Sequence, residues 1–223
     1  MTRSRPEISF SVDMVVVEDL SQRRSVAEAE FRRNGSLFDD AAISVRGSAL
    51  TSEGSGSYFS QSPALNLSTG VNQLAFISEN DSYHETVAVV LPDSFGTTDV
   101  FPRDNHDAQE VLVNWSHSNA ATRYLLVVVS RNYPADNTTP FMAVYGSTVN
   151  SAIVPDTTFE DPDGFIVDGI YSIYIVAFNQ GFGEYDGIPF PLPLGLPQQR
   201  ISEPSGYLRY GTVAPLDSII VQL

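Results

Sequence analysis

Short runs of β-branched and aromatic residues alternate along the chain with clusters of Gly, Pro, Asn, Asp and Ser. This rhythm is typical of many short strands joined by turns, which fold into sandwiches or barrels. The best helical window, residues 20–31, contains the sequence VAEAEF, in which apolar and acidic residues alternate. Because alternation with a period of two favours a strand over a helix, we predict an all-β protein.

The first half of the chain contains five predicted strands. They are residues 8–17, 26–32, 42–46, 73–78 and 84–91. Their number and spacing suit one antiparallel β-sandwich. Residues 52–60 are rich in Gly and Ser and predict a mobile loop. The cluster of turn-forming residues at 92–99 predicts a domain boundary, so the first domain is expected to span residues 1–97.

The second half, residues 98–223, repeats the pattern and predicts a second antiparallel β-sandwich. Its predicted strands are residues 110–115, 124–130, 141–145, 151–154, 170–179 and, with interruptions, 207–221. Val111, Val113 and Trp115 alternate as one buried face of a strand requires. Residues 181–204 are rich in Pro and Gly and predict an extended, polyproline-like arm.

Composition excludes several classes of site and protein. The 223 residues include no Cys, which excludes disulfides, thiolate nucleophiles and Cys-based metal sites. With 42% hydrophobic and 17% charged residues, the chain is too apolar to be disordered. No apolar run approaches the length of roughly 20 residues that a membrane-spanning helix needs, so no transmembrane segment is expected.

The charge balance is strongly acidic. Twelve basic and 27 acidic residues give a net charge of −15, and every basic residue is Arg. Such a surface repels nucleic-acid backbones and anionic membranes, so neither is an expected partner. Dispersed acidity without Lys indicates either a salt-loving host or a genome that prefers Arg codons.

The amino-terminal residues do not indicate a cellular location. A basic start, Met1 to Pro6, is not followed by the apolar segment of a signal peptide. The absence of Cys fits the cytoplasm, but it fits equally an exported protein whose leader or lipid anchor belongs to a longer precursor.

One stretch of the second half resembles a known family. Trp115 ends an alternating strand, Tyr124 begins the next, and residues 171–179, YSIYIVAFN, are similar to the Tyr-x-Val-x-Val-x-Ala-x-Asn run of fibronectin type III domains. The resemblance implies that Trp115 anchors the core and that the Tyr171 hydroxyl bonds back to nearby backbone as a tyrosine corner.

The first half resembles bacterial immunoglobulin-like domains in strand count and length. Tandem sandwiches of this kind occur in bacterial surface lipoproteins and beside glycan-degrading enzymes, so the resemblance implies adhesion, scaffolding or binding. A fold by itself assigns none of these roles.

Motifs for catalysis are absent from the sequence. His84, His106 and His117 fit no zinc-protease spacing, and neither a Gly-x-Ser-x-Gly elbow nor a phosphate-binding loop occurs. The Asp161-Pro162-Asp163-Gly164 turn is the best candidate for a metal site, since close carboxylates suit Ca²⁺. A solvated turn is the favoured interpretation of Asp161 and Asp163 in a chain this acidic, and no other cofactor is expected.

Aromatic residues in predicted loops are the remaining candidates for ligand binding. They are Tyr58, Phe59, Phe182, Tyr185 and Phe190. Exposed rings on a rigid scaffold can stack on sugars or anchor a protein, whereas the alternative is that they pack against the sandwiches.

Three functions follow in order of preference. The sequence favours a non-catalytic, extracytoplasmic binding or spacer module whose protein or glycan partner is unknown. A carbohydrate-binding accessory module is the second interpretation. An enzyme is the third, and it would require Asp161, Asp163 and a His in one pocket.

Overall fold

The structure, a computed structural model, describes residues 8–65, 67, 70–178 and 208–222. Eighteen strands account for most of it. The first nine are β1 (Phe10–Asp19), β2 (Arg24–Arg33), β3 (Ser36–Leu37), β4 (Ala42–Val45), β5 (Ser48–Ala49), β6 (Thr51–Gly54), β7 (Ser57–Gln61), β8 (Gly70–Ser78) and β9 (Tyr83–Leu91). The others are β10 (Thr97–Phe101), β11 (Asp104–His106), β12 (Val111–Trp115), β13 (Arg123–Ser130), β14 (Phe141–Gly146), β15 (Ser151–Val154), β16 (Gly169–Phe178), β17 (Leu208–Val213) and β18 (Asp217–Gln222).

The prediction of an all-β protein is confirmed. Helix in the described residues is limited to two single 3₁₀ turns, Glu79–Asp81 and Asp156–Phe159. The ambiguous window at residues 20–31 contributes to strand β2, as its alternation predicted. Within the described ranges, no helix is long and apolar enough to cross a membrane.

The chain forms two compact units that interleave in sequence. Of the described residues, unit 1 comprises 8–18, 24–90 and 208–210, and unit 2 comprises 19–23, 91–178 and 211–222. Phe95 is buried in the core of unit 2. The cluster at residues 92–99, at which the sequence placed a boundary after residue 97, therefore contributes to the second core.

Unit 1 contains two sheets. One has the order β1-β2-β7-β6, with β3 paired to β2, and the other has the order β5-β4-β8-β9. Rings from the two sheets meet, since Tyr83 of β9 lies 4.2 Å from Phe10 and 6.2 Å from Phe31, measured between ring centroids. These contacts link the two sheets through aromatic rings.

The prediction of a mobile loop at residues 52–60 is wrong. These residues form the antiparallel hairpin β6–β7, whose turn is held by the carboxylate of Asp39. The amides of Ser55 and Gly56 donate to its two oxygens at 3.1 and 2.5 Å. Asp39 lies sixteen residues before Ser55 in the sequence, so the Gly and Ser content of the segment itself does not indicate that its turn is held in place.

Unit 2 is a sandwich of a larger and a smaller sheet. In the larger one, β16 pairs with β13 on one side and with β17 and β18 on the other, while β14 and the parallel strand β11 extend it at either end. The smaller sheet has the order β10-β12-β15. Inward residues of both sheets belong to a single hydrophobic core.

Trp115 and Tyr171 share this core, as the fibronectin type III resemblance implied. The indole of Trp115 lies 5.7 Å from the rings of Tyr124 and Tyr145. Tyr171 meets Phe159 edge-on at 5.0 Å, and its hydroxyl donates to the carbonyl of Val167 at 3.0 Å. The predicted tyrosine corner is therefore present.

Burial is the main reason that the pKa of Tyr171 is raised well above its usual range, and the nearby carboxylates of Asp136 and Asp168 act in the same direction. The hydroxyl thus stays protonated and able to donate at every pH at which the protein would be handled.

Replacing Tyr171 with Phe removes the corner bond and keeps the ring in contact with Phe159. We expect the free energy of unfolding of unit 2 to fall by about 1–3 kcal/mol, because the Val167 carbonyl loses a buried donor. Urea unfolding followed by the fluorescence of Trp115, the single tryptophan, measures this loss. An unchanged transition would mean that the bond contributes nothing to the corner.

Candidate functional site

The outer face of the β10-β12-β15 sheet carries an unusual set of side chains. Because Val111, Val113 and Trp115 of β12 point into the core, Leu112 and Asn114 point outward. In β15, Ala152 and Val154 are buried and Ile153 is exposed. The outward positions of an antiparallel sheet facing solvent are normally polar, so an apolar residue in two neighbouring strands departs from the rule.

Strand register joins these residues into one row. Leu112 pairs with Phe101 of β10 on one side and with Ile153 of β15 on the other. The exposed fractions are 69% for Phe101, 38% for Leu112 and 57% for Ile153. We call these three residues the apolar row. Directly paired residues in adjacent strands lie side by side, so the row is one continuous patch.

Polar and acidic residues border the apolar row. The next outward positions, Asp99, Asn114 and Ser151, form a second row by the same register. On the opposite side, Glu110 precedes β12 and is exposed. The acidic neighbours of the row along the strands are thus Asp99 on one side and Glu110 on the other, and Arg103 follows Phe101 by two residues.

Arg103, two residues beyond the end of β10, forms an ion pair with Asp217. Its Nη2 donates to Asp217 at 3.2 Å, and a second bond links Nη1 to the other carboxylate oxygen. Partial burial of Asp217 disfavours its ionisation, but the bonds from Arg103 and from the Ser218 amide outweigh this and lower the pKa of the carboxyl. Asp217 thus stays ionised and neutralises the guanidinium.

Tyr58 and Phe59, two of the predicted ligand-binding aromatics, lie in strand β7. Tyr58 is buried in unit 1, where its hydroxyl donates to the Phe38 carbonyl and accepts from the Ala41 amide, both at 3.1 Å. A ring in this position has no face open to a sugar. Phe59 points to the other side, is half-buried, and pairs across the strands with Thr51 and Glu28.

The other three predicted aromatics, Phe182, Tyr185 and Phe190, lie outside the described residues, together with the Pro-rich arm at 181–204.

The candidate calcium turn uses its carboxylate internally. One oxygen of Asp161 accepts from the amides of Asp163 and Phe165, each at 2.9 Å. The Gly164 amide donates to the Asp161 carbonyl at 3.0 Å. Across the described part of the chain, no three or more His, Cys, Asp or Glu residues lie close enough to hold a metal ion. His84, His106 and His117 are all exposed.

Sequence reasoning missed the apolar row, although part of the signal was present. The alternation that placed Val111 and Val113 inside also places Leu112 outside, and the same argument applies to Ile153 between Ala152 and Val154. Phe101 could not be found in this way, because β10 begins inside the cluster of turn-forming residues at 92–99, which predicted a domain boundary and no strand.

Comparisons with known proteins add only distant structural likeness. No protein-family model and no curated protein matches the sequence. The crystal structure of the FN1–FN3 domains of chicken CNTN1 matches with 11% identity and a TM-score of 0.33, over 95% of this chain and 64% of that one. This chain therefore spans less than two thirds of the length of that structure.

Proposed function

We propose that this chain is a non-catalytic binding module of an extracytoplasmic protein, and that it holds a protein partner on the outer face of the β10-β12-β15 sheet. The observation that carries the proposal is the apolar row of Phe101, Leu112 and Ile153, whose members are exposed and directly paired across three strands.

The composition of this face is that of a protein–protein interface. A few well-packed residues at the centre of an interface, aromatic ones prominent among them, supply most of its binding energy, and the surrounding contacts exclude water. Phe101 and its two neighbours form such a centre, and Asp99, Asn114 and Ser151 form part of such a rim. A contiguous exposed apolar patch marks an interaction site more often than scattered single residues do.

The proposed extracytoplasmic location rests on the sandwich architecture of the two units and on the fibronectin type III features of unit 2. The buried Trp115 and the Tyr171 corner support that resemblance. Adhesion, scaffolding and spacing are the roles that the resemblance implies.

Two matched variants test the proposal. The double variant Phe101→Ser/Ile153→Ser removes the two most exposed members of the apolar row. The control Phe165→Ser removes a ring from a turn outside the sheet, and Phe165 has the same exposed fraction as Phe101, 69%. Each protein is cross-linked to its partners in extracts of the native host. We expect the partners that are cross-linked to the wild type to be cross-linked also to Phe165→Ser, but not to the double variant. Equal retention by all three proteins would contradict the proposal.

A carbohydrate-binding module is the second candidate, and Phe59 is the observation that favours it. Its half-buried ring lies on the outer face of β7, between a hydroxyl from Thr51 and a carboxylate from Glu28, which are groups that bind sugar hydroxyls. We expect any signal on a glycan array to be lost with Phe59→Ala or Phe182→Ala and kept with Phe165→Ser. No signal on plant, bacterial or animal glycans would contradict this candidate.

A further inference from the structure

The spacing of the apolar row limits the shape of what can cover it. Adjacent strands lie 4.7–4.9 Å apart, so Phe101 and Ile153, two strands apart, are separated by about 9.6 Å across the sheet. In an α-helix, residues i and i+7 on one face are about 10.5 Å apart, with i+3 and i+4 between them. A helix crossing the strands can therefore set three apolar contacts against Phe101, Leu112 and Ile153.

The charges beside the row indicate which charges should flank the apolar stripe of that helix. Asp99 and Glu110 lie on opposite sides of the row along the strand direction, each about 6.7 Å from a row member because outward positions are two residues apart. The strands β10, β12 and β15 contain no Arg, and Arg103 is already paired with Asp217. A bound helix therefore faces one carboxylate on each side of the row, with the Arg103–Asp217 ion pair beyond the end of β10.

A second copy of this chain fits this face poorly. Each copy has a net charge of −15, and an isologous contact through the row would bring the Asp99 and Glu110 carboxylates of two copies together. Like charges juxtaposed across an interface are strongly unfavourable, whereas Lys or Arg in those positions steers association and fixes orientation.

We propose that the apolar row docks an amphipathic helix of another protein, with an apolar stripe flanked on both sides by Lys or Arg. This inference names the partner chemistry and rests on the proposed function. The helix lies across the strands, with its stripe on Phe101, Leu112 and Ile153 and its basic flanks beside Asp99 and Glu110.

The probe for this proposal is a fluorescein-labelled synthetic peptide of about 18 residues, long enough to form a helix, with Leu at i, i+3, i+4 and i+7 and Lys on both flanks. Two control peptides are needed. One has the same composition with the Leu positions scrambled, and the other carries Glu in place of every Lys. Binding is measured by fluorescence anisotropy at low and at physiological salt.

We expect the amphipathic Lys peptide to bind wild type and Phe165→Ser equally. Its affinity should fall at least about tenfold with Phe101→Ser/Ile153→Ser and by a few fold with Asp99→Asn. The affinity for Asp99→Asn should also depend less on salt than the affinity for the wild type. Unchanged circular dichroism and thermal midpoints of the variants show that folding is intact.

Three outcomes of the binding measurements would overturn the inference. They are equal binding of the scrambled peptide, equal binding of the Glu peptide, and insensitivity to the Phe101/Ile153 variant. A dimer of the wild type that Phe101→Ser/Ile153→Ser dissociates in sedimentation would also overturn it, because the occupant would then be a second copy. The proposed function fails separately, when the cross-linked partners described above do not depend on the row.

Discussion

Trp115→Ala is expected to destabilise unit 2 by about 3–5 kcal/mol, which is a large part of the stability of a single domain. The indole is 1% exposed, and its centroid lies 5.7 Å from those of the Tyr124 and Tyr145 rings. Its Nε1 donates to no atom of the described residues. The expected loss therefore comes from packing, through the cavity left between the two sheets.

Urea unfolding followed by circular dichroism measures this effect, since the variant has no tryptophan left to report by fluorescence. Leu112→Ala on the same strand is the matched control. Its side chain points to solvent, so we expect its cost to stay below about 1 kcal/mol. Similar losses in the two variants would be incompatible with an interior built around Trp115.

Gly56→Ala is expected to destabilise unit 1 by about 2–4 kcal/mol. Gly56 has a φ of +71°, a backbone conformation that residues with a Cβ adopt only at a cost in free energy. A Cβ at this position would also lie 2.7 Å from the Phe38 nitrogen and 2.9 Å from the Phe31 oxygen. Both of these are backbone atoms, so relief requires the hairpin β6–β7 to shift away from β2.

Gly47→Ala separates the two causes. Gly47 has a similar φ of +80°, but no atom lies within 4 Å of the position that an alanine Cβ would take there. We expect this control to lose only the conformational part, about 1–2 kcal/mol. Thermal unfolding of both variants gives the comparison, and a loss at Gly56 no larger than that at Gly47 would refute the close approach.

Local patterns predicted the strands that form each core. Alternation in residues 110–115 and the apolar run at 124–130 correspond to β12 and β13, and the run around Tyr171 corresponds to β16. In these segments the buried face is determined by the order of side chains along one strand, which is information contained in the local sequence.

Features that depend on pairing between strands were not predicted. The short strands β3, β5 and β11 have no apolar periodicity. β3 and β5 pair with the preceding strands β2 and β4 across two-residue turns, whereas β11 pairs with the distant strand β18. The hairpin β6–β7 needs Asp39 for its turn. The apolar row similarly needs the register that sets Phe101 and Ile153 beside Leu112, and register is a property of paired strands.

Strand β18 has a consequence for the synthesis of unit 2. It lies between β16 and β11, and its residues Ile220 to Gln222 run parallel to Asp104 to His106. These partners are separated by more than a hundred residues, and such non-local pairing slows folding because a long segment must be ordered first. A ribosome-bound chain that has not yet released residues 217–222 therefore cannot complete this sheet, and we infer that unit 2 acquires its native form only after translation has passed β18.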